Sequence, residues 1–157
     1  TGMLAGLVVI TPGAGYVDPW ASLVMGVLVS PICYFAISWL KPRLGYDDAL
    51  DAFGCHGVGG IVGGIFTGLF ATPANVAAAT GDALHDYGLF YGGGLLGSQI
   101  LGILVTLAFV IVMSLLIGLA VKALFGGKLA VSEAVQARGL DTCLHGESAY
   151  PAFDGLD

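Results

Sequence analysis

The stretch Ala52-Phe-Gly-Cys-His-Gly-Val-Gly-Gly-Ile-Val-Gly-Gly-Ile-Phe-Thr-Gly-Leu-Phe-Ala71 decides how this chain is read. It is apolar enough to enter a bilayer, and the uncharged run continues to Gly81. His56 is its one side chain able to take a charge near neutral pH. An ionisable group at such depth is costly and faces a bundle interior or a permeation path by default. Imidazole is also the side chain that passes a proton near neutral pH. The competing reading is a core histidine satisfied by a backbone carbonyl.

Working outward, composition sets the class. Mean hydropathy is +0.91, and only 10% of residues are charged. Transmembrane helices need about 20 apolar residues each. Pro19–Leu40 is a second such stretch and Tyr87–Val121 a third. The last is about 35 residues long and must tilt, kink or protrude into water. Membrane helices are therefore expected near 19–40, 51–71 and 88–124, within a transmembrane region 1–125, followed by a tail 126–157. Thr1–Ile10 is apolar but too short to span and reads as the end of a further helix. No basic n-region marks a signal peptide, so an N-terminal part of a larger protein is expected to precede it.

The basic residues are Lys41, Arg43, Lys122, Lys128 and Arg138. With three crossings all five lie on one side, while the opposite loops carry Asp18, Asp82 and Asp86. The positive-inside rule puts Lys41–Asp51 and the C-terminus in the cytoplasm. Tyr16, Trp20, Tyr87, Phe90 and Tyr91 fit an outer aromatic belt, Trp39 and Tyr46 an inner one. The net charge of −6 comes mostly from loop and tail acids, and no basic patch points to nucleic acid. Three cysteines, two of them within helices, make a disulfide framework a poor reading.

Gly60-xxx-Gly64-xxx-Gly68 is a doubled small-xxx-small pattern, with Gly59 and Gly63 as a parallel row; such rows let helix backbones approach closely. At a 3.6-residue period His56, Gly60, Gly63, Gly64 and Thr67 share roughly one face. Plain packing explains the glycines, and a functional reading adds that they shape a conduit beside His56. Asp51 reads as the N-cap of this helix, its carboxylate accepting the first free N–H groups, with substrate binding as the alternative. Asp47 and Asp48 read as solvated loop acids. His85 reads as a loop residue. Cys143 and His145 are too few to define a metal site, so no metal or other cofactor is expected.

Asp51-Ala-Phe-Gly-Cys-His-Gly-Val-Gly-Gly-Ile-Val-Gly-Gly64, followed by Thr67-Gly-Leu-Phe-Ala71, closely resembles the signature of the ammonium transporter family (Amt/Mep/Rh). Ile10-Thr-Pro-Gly-Ala-Gly-Tyr-Val17 resembles the end of the helix two crossings earlier. Gly139-Leu-Asp-Thr-Cys-Leu-His-Gly-Glu-Ser-Ala-Tyr150 resembles the family's tail motif. The resemblance implies an all-α integral membrane protein: an eleven-helix, inverted-repeat bundle in a homotrimer, with one pore per protomer. This chain would be its C-terminal part, from the end of the eighth helix through the eleventh and the tail.

His56 then matches the second histidine of the family's paired pore histidines, and its partner would lie in the absent N-terminal half. Ala52, Phe53 and Gly60 are assigned with His56 to the ammonium/ammonia path, and Asp51 to the helix cap. Gly139, Asp141, His145, Gly146, Glu147 and Tyr150 are assigned to a regulatory tail that docks under the neighbouring protomer. The family's cytoplasmic face also binds the PII signal protein. The alternative is an ammonium sensor or a non-transporting structural subunit of the same fold. An enzyme lacks support, because no nucleophile–base set falls on one helix face.

Overall fold

The computed structural model describes residues 1–81 and 86–147. His85 and Tyr150 therefore lie outside the described residues. Contacts divide the chain into two units, Thr1–Ala108 and Phe109–Asp157. The fold is all-α: the one β feature among the described residues is an isolated bridge between Val17 and Ala71.

The first unit opens with α1 (Gly2–Ile10) and a 3-10 turn, Thr11–Gly13. Next comes α2 (Pro19–Phe35), whose Pro19 has a fixed φ suited to a first turn. A π-turn, Ala36–Leu40, leads without a break into the short α3 (Lys41–Leu44). Together they form one 26-residue helical rod, Pro19–Leu44. The rod thus runs past the expected end at Leu40 and carries Lys41 and Arg43 on its last turn. Gly45, at φ 66°, stops it in the left-handed conformation that glycine adopts most easily. Pro31 lies inside α2 and removes one backbone donor there. Membrane helices tolerate this where side chains and neighbours satisfy the freed groups.

The His56 segment begins with a π-turn, Phe53–Gly57, and continues as α4 (Val58–Phe70). Thr72 caps α5 (Pro73–Thr80), its hydroxyl oxygen accepting from Asn75 N–H at 3.1 Å. This end is knitted by local polar groups. Asn75 Nδ2 donates to Asp18 at 2.9 Å, Thr72 N–H to the Tyr16 carbonyl at 2.9 Å, and Gly88 N–H to the Ala71 carbonyl at 2.8 Å.

The core explains the packing. Ala21, Met25, Val29 and Cys33 recur at every fourth position of α2 and are fully buried, with Ala5 and Val9 of α1. Residues four apart share a helix face, so one stripe of α2 meets α1 and α4. Phe70 closes one end of the cluster, packed edge-on against Trp20 and Phe90 with ring centroids 5.7 and 5.0 Å away. At the other end of the α2 rod, Phe35 stacks on Trp39 at 4.6 Å, and the Arg43 guanidinium sits 4.2 Å from the Trp39 ring centre.

The last long helix, α6, spans Leu95–Leu124 and is 30 residues long. It starts later than the expected 88. Leu89–Tyr91 form a 3-10 turn ended by Gly92 at φ 86°. Asp86 then accepts from Gly94 N–H at 2.6 Å, which holds the chain in a loop until Leu95. Even so, the helix is about 45 Å long at 1.5 Å per residue, more than a bilayer core needs. Among the described residues, three helices are long and apolar enough to cross a membrane: Pro19–Leu44, Phe53–Phe70 and Leu95–Leu124.

In the second unit, Gly126 and Gly127 end α6 with φ of 66° and 86°. A short helix, α7 (Glu133–Arg138), and a π-turn, Asp141–His145, follow. None of its described residues is buried.

Candidate functional site

His56 is carried by the π-turn that opens the glycine-rich helix. There Val58 N–H bonds the Phe53 carbonyl, five residues back rather than four. Single π-turns inside helices occur frequently at functional sites. His56 is exposed on this chain. With Gly60 it forms one wall of a groove of about 610 Å³, whose other walls are Leu4, Leu7, Val8, Thr11 and Pro12. The lining is almost wholly apolar. The Thr11 hydroxyl already donates to the Leu7 carbonyl at 2.9 Å.

The glycines divide by task. A Cβ on Gly63 would lie 2.6 Å from the Val9 carbonyl oxygen and 2.9 Å from Pro12 Cγ. One on Gly59 would lie 3.2 Å from Val8. This row lets α1 approach α4. A Cβ on Gly64 would meet Ile103 at 3.0 Å, and one on Gly68 would meet Leu96 backbone at 2.7 Å, so this row receives α6. Gly60 faces open space, with nothing within 4 Å. The single face expected for His56, Gly60, Gly63, Gly64 and Thr67 is therefore split. Gly63 and Thr67 are buried, Gly64 turns to α6, and Gly60 alone joins His56 in the groove. All four lie in regular α4, and the split follows from their neighbours: α1 and Pro12 cover Gly63, α6 covers Gly64, and nothing covers Gly60.

Pro12 and Gly60 also border a second cavity of about 460 Å³, between the His56 helix and α6, where Gln99 and Thr106 are the polar walls. Pro12 and Gln99 reach a third, of about 400 Å³, beside Tyr16, Thr67 and Asp86. Pro12 stands at the junction of all three.

The cap of the His56 helix is not the one expected. Asp51 does not cap it with its side chain. Its backbone is left-handed, at φ 55°, and its carboxylate turns back to Lys41 Nζ at 2.6 Å. Asp48 does the capping: its two carboxylate oxygens accept from Ala52 N–H at 2.9 Å and Phe53 N–H at 2.8 Å. Nor is Asp48 merely a solvated loop acid. Asp51 contributes through its backbone, its carbonyl accepting from Cys55 N–H at 3.0 Å. Ala52 and Phe53 are exposed where the segment begins, and the Phe53 ring meets Tyr46 edge-on at 5.6 Å.

In the tail, Gly139 sits at φ 91° and ends α7. Asp141 and His145 bound the π-turn, Gly146 ends it at φ 66°, and Glu147 N–H donates to the Asp141 carbonyl at 3.1 Å. Among the described residues no three of His, Cys, Asp or Glu come together as a metal site.

The sequence profile described as the Ammonium Transporter Family matches residues 1–150. The chain belongs to the ammonium transporter family. It is 46% identical over 151 residues to an ammonium transporter of Bacillus subtilis (strain 168), covering 96% of this chain and 35% of that protein. It is 42% identical to an ammonium transporter of Aquifex aeolicus (strain VF5), over 96% of this chain and 33% of the relative. The chain thus spans about a third of the length of the curated relatives it matches. Its fold superimposes on the crystal structure of Candida albicans Mep2 with a TM-score of 0.74 at 35% identity, covering 85% of this chain and 29% of Mep2. A chain described as Sensor Amt Protein matches with a TM-score of 0.72 at 27% identity, covering 91% of this chain and 33% of that one.

Family and helices together make this a multi-pass membrane protein. Sequence reasoning had no sign of the Lys41–Asp51 pair, the Asp48 cap, or Gln99 as the polar wall shared by two cavities. Pro12 lies inside the Ile10–Val17 motif, and Gly60, Gly64 and Thr67 inside the glycine-rich helix pattern.

Proposed function

We propose that the complete protein conducts ammonium or ammonia across the membrane along a path that passes His56. The observation that carries this reading is the exposure of His56, beside an unobstructed glycine, to an apolar groove on a helix of an ammonium transporter family member. A bare ammonium ion in hydrocarbon is expensive, whereas neutral ammonia is much cheaper to pass. A narrow apolar path that strips the proton favours ammonium over potassium, which has no proton to lose. In a neutral imidazole one ring nitrogen donates and the other accepts. Such a group hydrogen-bonds ammonia and relays a proton.

Several further points belong to the same proposal. Residues 1–125 form the membrane region and 126–157 a cytoplasmic tail, with Lys41–Asp51 on the same side. Ala52, Phe53 and Gly60 line the path with His56. A partner histidine stands on a helix of the N-terminal half, three protomers assemble, and Gly139–Tyr150 docks on a neighbouring protomer. The PII signal protein is the candidate partner at that face.

A second reading, an ammonium sensor, is favoured by the match to the Sensor Amt Protein. Uptake into proteoliposomes holding the purified complete protein separates the two. Ammonium uptake well above that of empty vesicles, with potassium excluded, supports conduction. Tight ammonium binding without uptake supports the sensor.

A further inference from the structure

The loop between the α2–α3 rod and the His56 helix carries an arrangement that packing alone does not require. Lys41 Nζ donates to the Asp48 carbonyl at 2.5 Å and to Asp51 Oδ1 at 2.6 Å. Asp48 sends its carboxylate the other way, onto the N–H groups of Ala52 and Phe53. The Asp51 carbonyl takes Cys55 N–H. One ammonium group thus holds the two residues that between them hold the first three bonded N–H groups of the His56 segment. Asp51 is also the one non-glycine residue with positive φ among those described. Such a backbone persists only where its surroundings over-determine it. The Lys41–Asp51 pair is partly solvent-exposed, and exposed pairs add little to global stability. Stability is therefore a weak reason for the arrangement.

Register is a stronger one. The held turn is immediately followed by the π-turn Phe53–Gly57. A π-turn competes with an α-turn one residue shorter. Exchange between them would rotate His56 by roughly 100° about the helix axis, the angle per residue of an α-helix. We propose that Lys41, through Asp48 and Asp51, is a positioning residue that selects the π register and so aims His56 into the groove beside Gly60. With the clasp open, the turn relaxes toward α and the imidazole swings off the groove. This rests on the reading that His56 lines the ammonium path.

The test uses Lys41→Gln, Asp51→Asn and Lys41→Arg in the complete protein, purified from membranes. Asparagine tolerates left-handed backbone, so Asp51→Asn removes charge with little backbone penalty. His56 modification by diethyl pyrocarbonate is followed by mass spectrometry, with the modification of His145, on the separate tail segment, as internal control. The expected result is a several-fold change in the His56 rate in the Gln and Asn variants. The rate at His145 should not change, and Lys41→Arg should restore the parent rate. The double variant should be no worse than either single one, since both break one link. Unchanged His56 rates in the intact Gln and Asn variants would overturn the proposal. Failure of both to assemble would overturn it too, in favour of a purely structural role. The ammonium-to-potassium flux ratio is measured alongside. If the parent moves no ammonium, the conduction reading fails, while the labelling still decides the clasp.

Discussion

Replacing Gly63 by Ala should destabilise the protein, while the same change three residues earlier, at Gly60, should not. At Gly63 the new methyl would stand 2.6 Å from the Val9 carbonyl oxygen and 2.9 Å from Pro12 Cγ. Neither neighbour can swing away: one is backbone of α1 and the other a proline ring. Val9 is itself fully buried in the core. The two helices must separate by several tenths of an ångström, and overpacking of this kind costs about 1–3 kcal/mol. Both substitutions gain about 0.5–1 kcal/mol from replacing a mid-helix glycine. That gain cancels in the comparison, because Gly60 has nothing within 4 Å. The difference between the variants is therefore the overpacking term alone, roughly 5- to 150-fold in the unfolding equilibrium. Denaturation of the purified complete protein, followed by tryptophan fluorescence, measures it. Equal midpoints, or a lower midpoint for Gly60→Ala, would refute the assignment of Gly63 to the α1 contact and Gly60 to open space.

Gly60→Ala should nevertheless lower ammonium flux at unchanged protein levels, since its methyl enters the groove beside His56; full flux in an uptake assay would remove Gly60 from the path. Asp48→Ala should cost about 0.5–2 kcal/mol, the usual range for a lost cap, and an unchanged denaturation midpoint would reject Asp48 as the cap. Cys143 is exposed while Cys33 and Cys55 are buried, so a membrane-impermeant maleimide should label Cys143 only from the cytoplasmic side and a cysteine replacing Thr80 only from outside. The reverse pattern would overturn the orientation. Gly139 sits at φ 91° and ψ 136°, so Gly139→Asp should strain the tail by about 1–3 kcal/mol. It should reduce flux with assembly intact, and parent-level uptake would reject a coupling role for the tail.

What was legible in the sequence was what depends on composition over many residues. The helical class followed from long uncharged stretches, and the membrane setting from their length. The family was legible because its motifs are local: Asp51–Gly64, Thr67–Ala71 and Ile10–Val17 survive as contiguous strings. The glycine rows were legible as packing surfaces, but their division between α1 and α6 was not, since a periodicity names a face and not the neighbour that covers it. Features set by one residue's backbone escaped. The π-turn at Phe53–Gly57 changes the register by a single residue without altering hydropathy. The exchange of roles between Asp48 and Asp51 turns on the left-handed backbone of Asp51, which no spacing rule signals. The late start of α6 turns on Gly92 and on Asp86 reaching Gly94. The cavity beside Gln99 depends on chain segments far apart in sequence.

In the proposed function, His56 faces the path by which ammonium crosses. The measurement that tests it most directly is the ratio of ammonium to potassium flux, in proteoliposomes holding equal amounts of the complete parent protein and its His56→Glu variant. A fixed carboxylate in the path would hold a bare cation. Potassium flux should appear in the variant and the ratio should fall sharply. An unchanged ratio, with the variant correctly assembled, would contradict this role of His56.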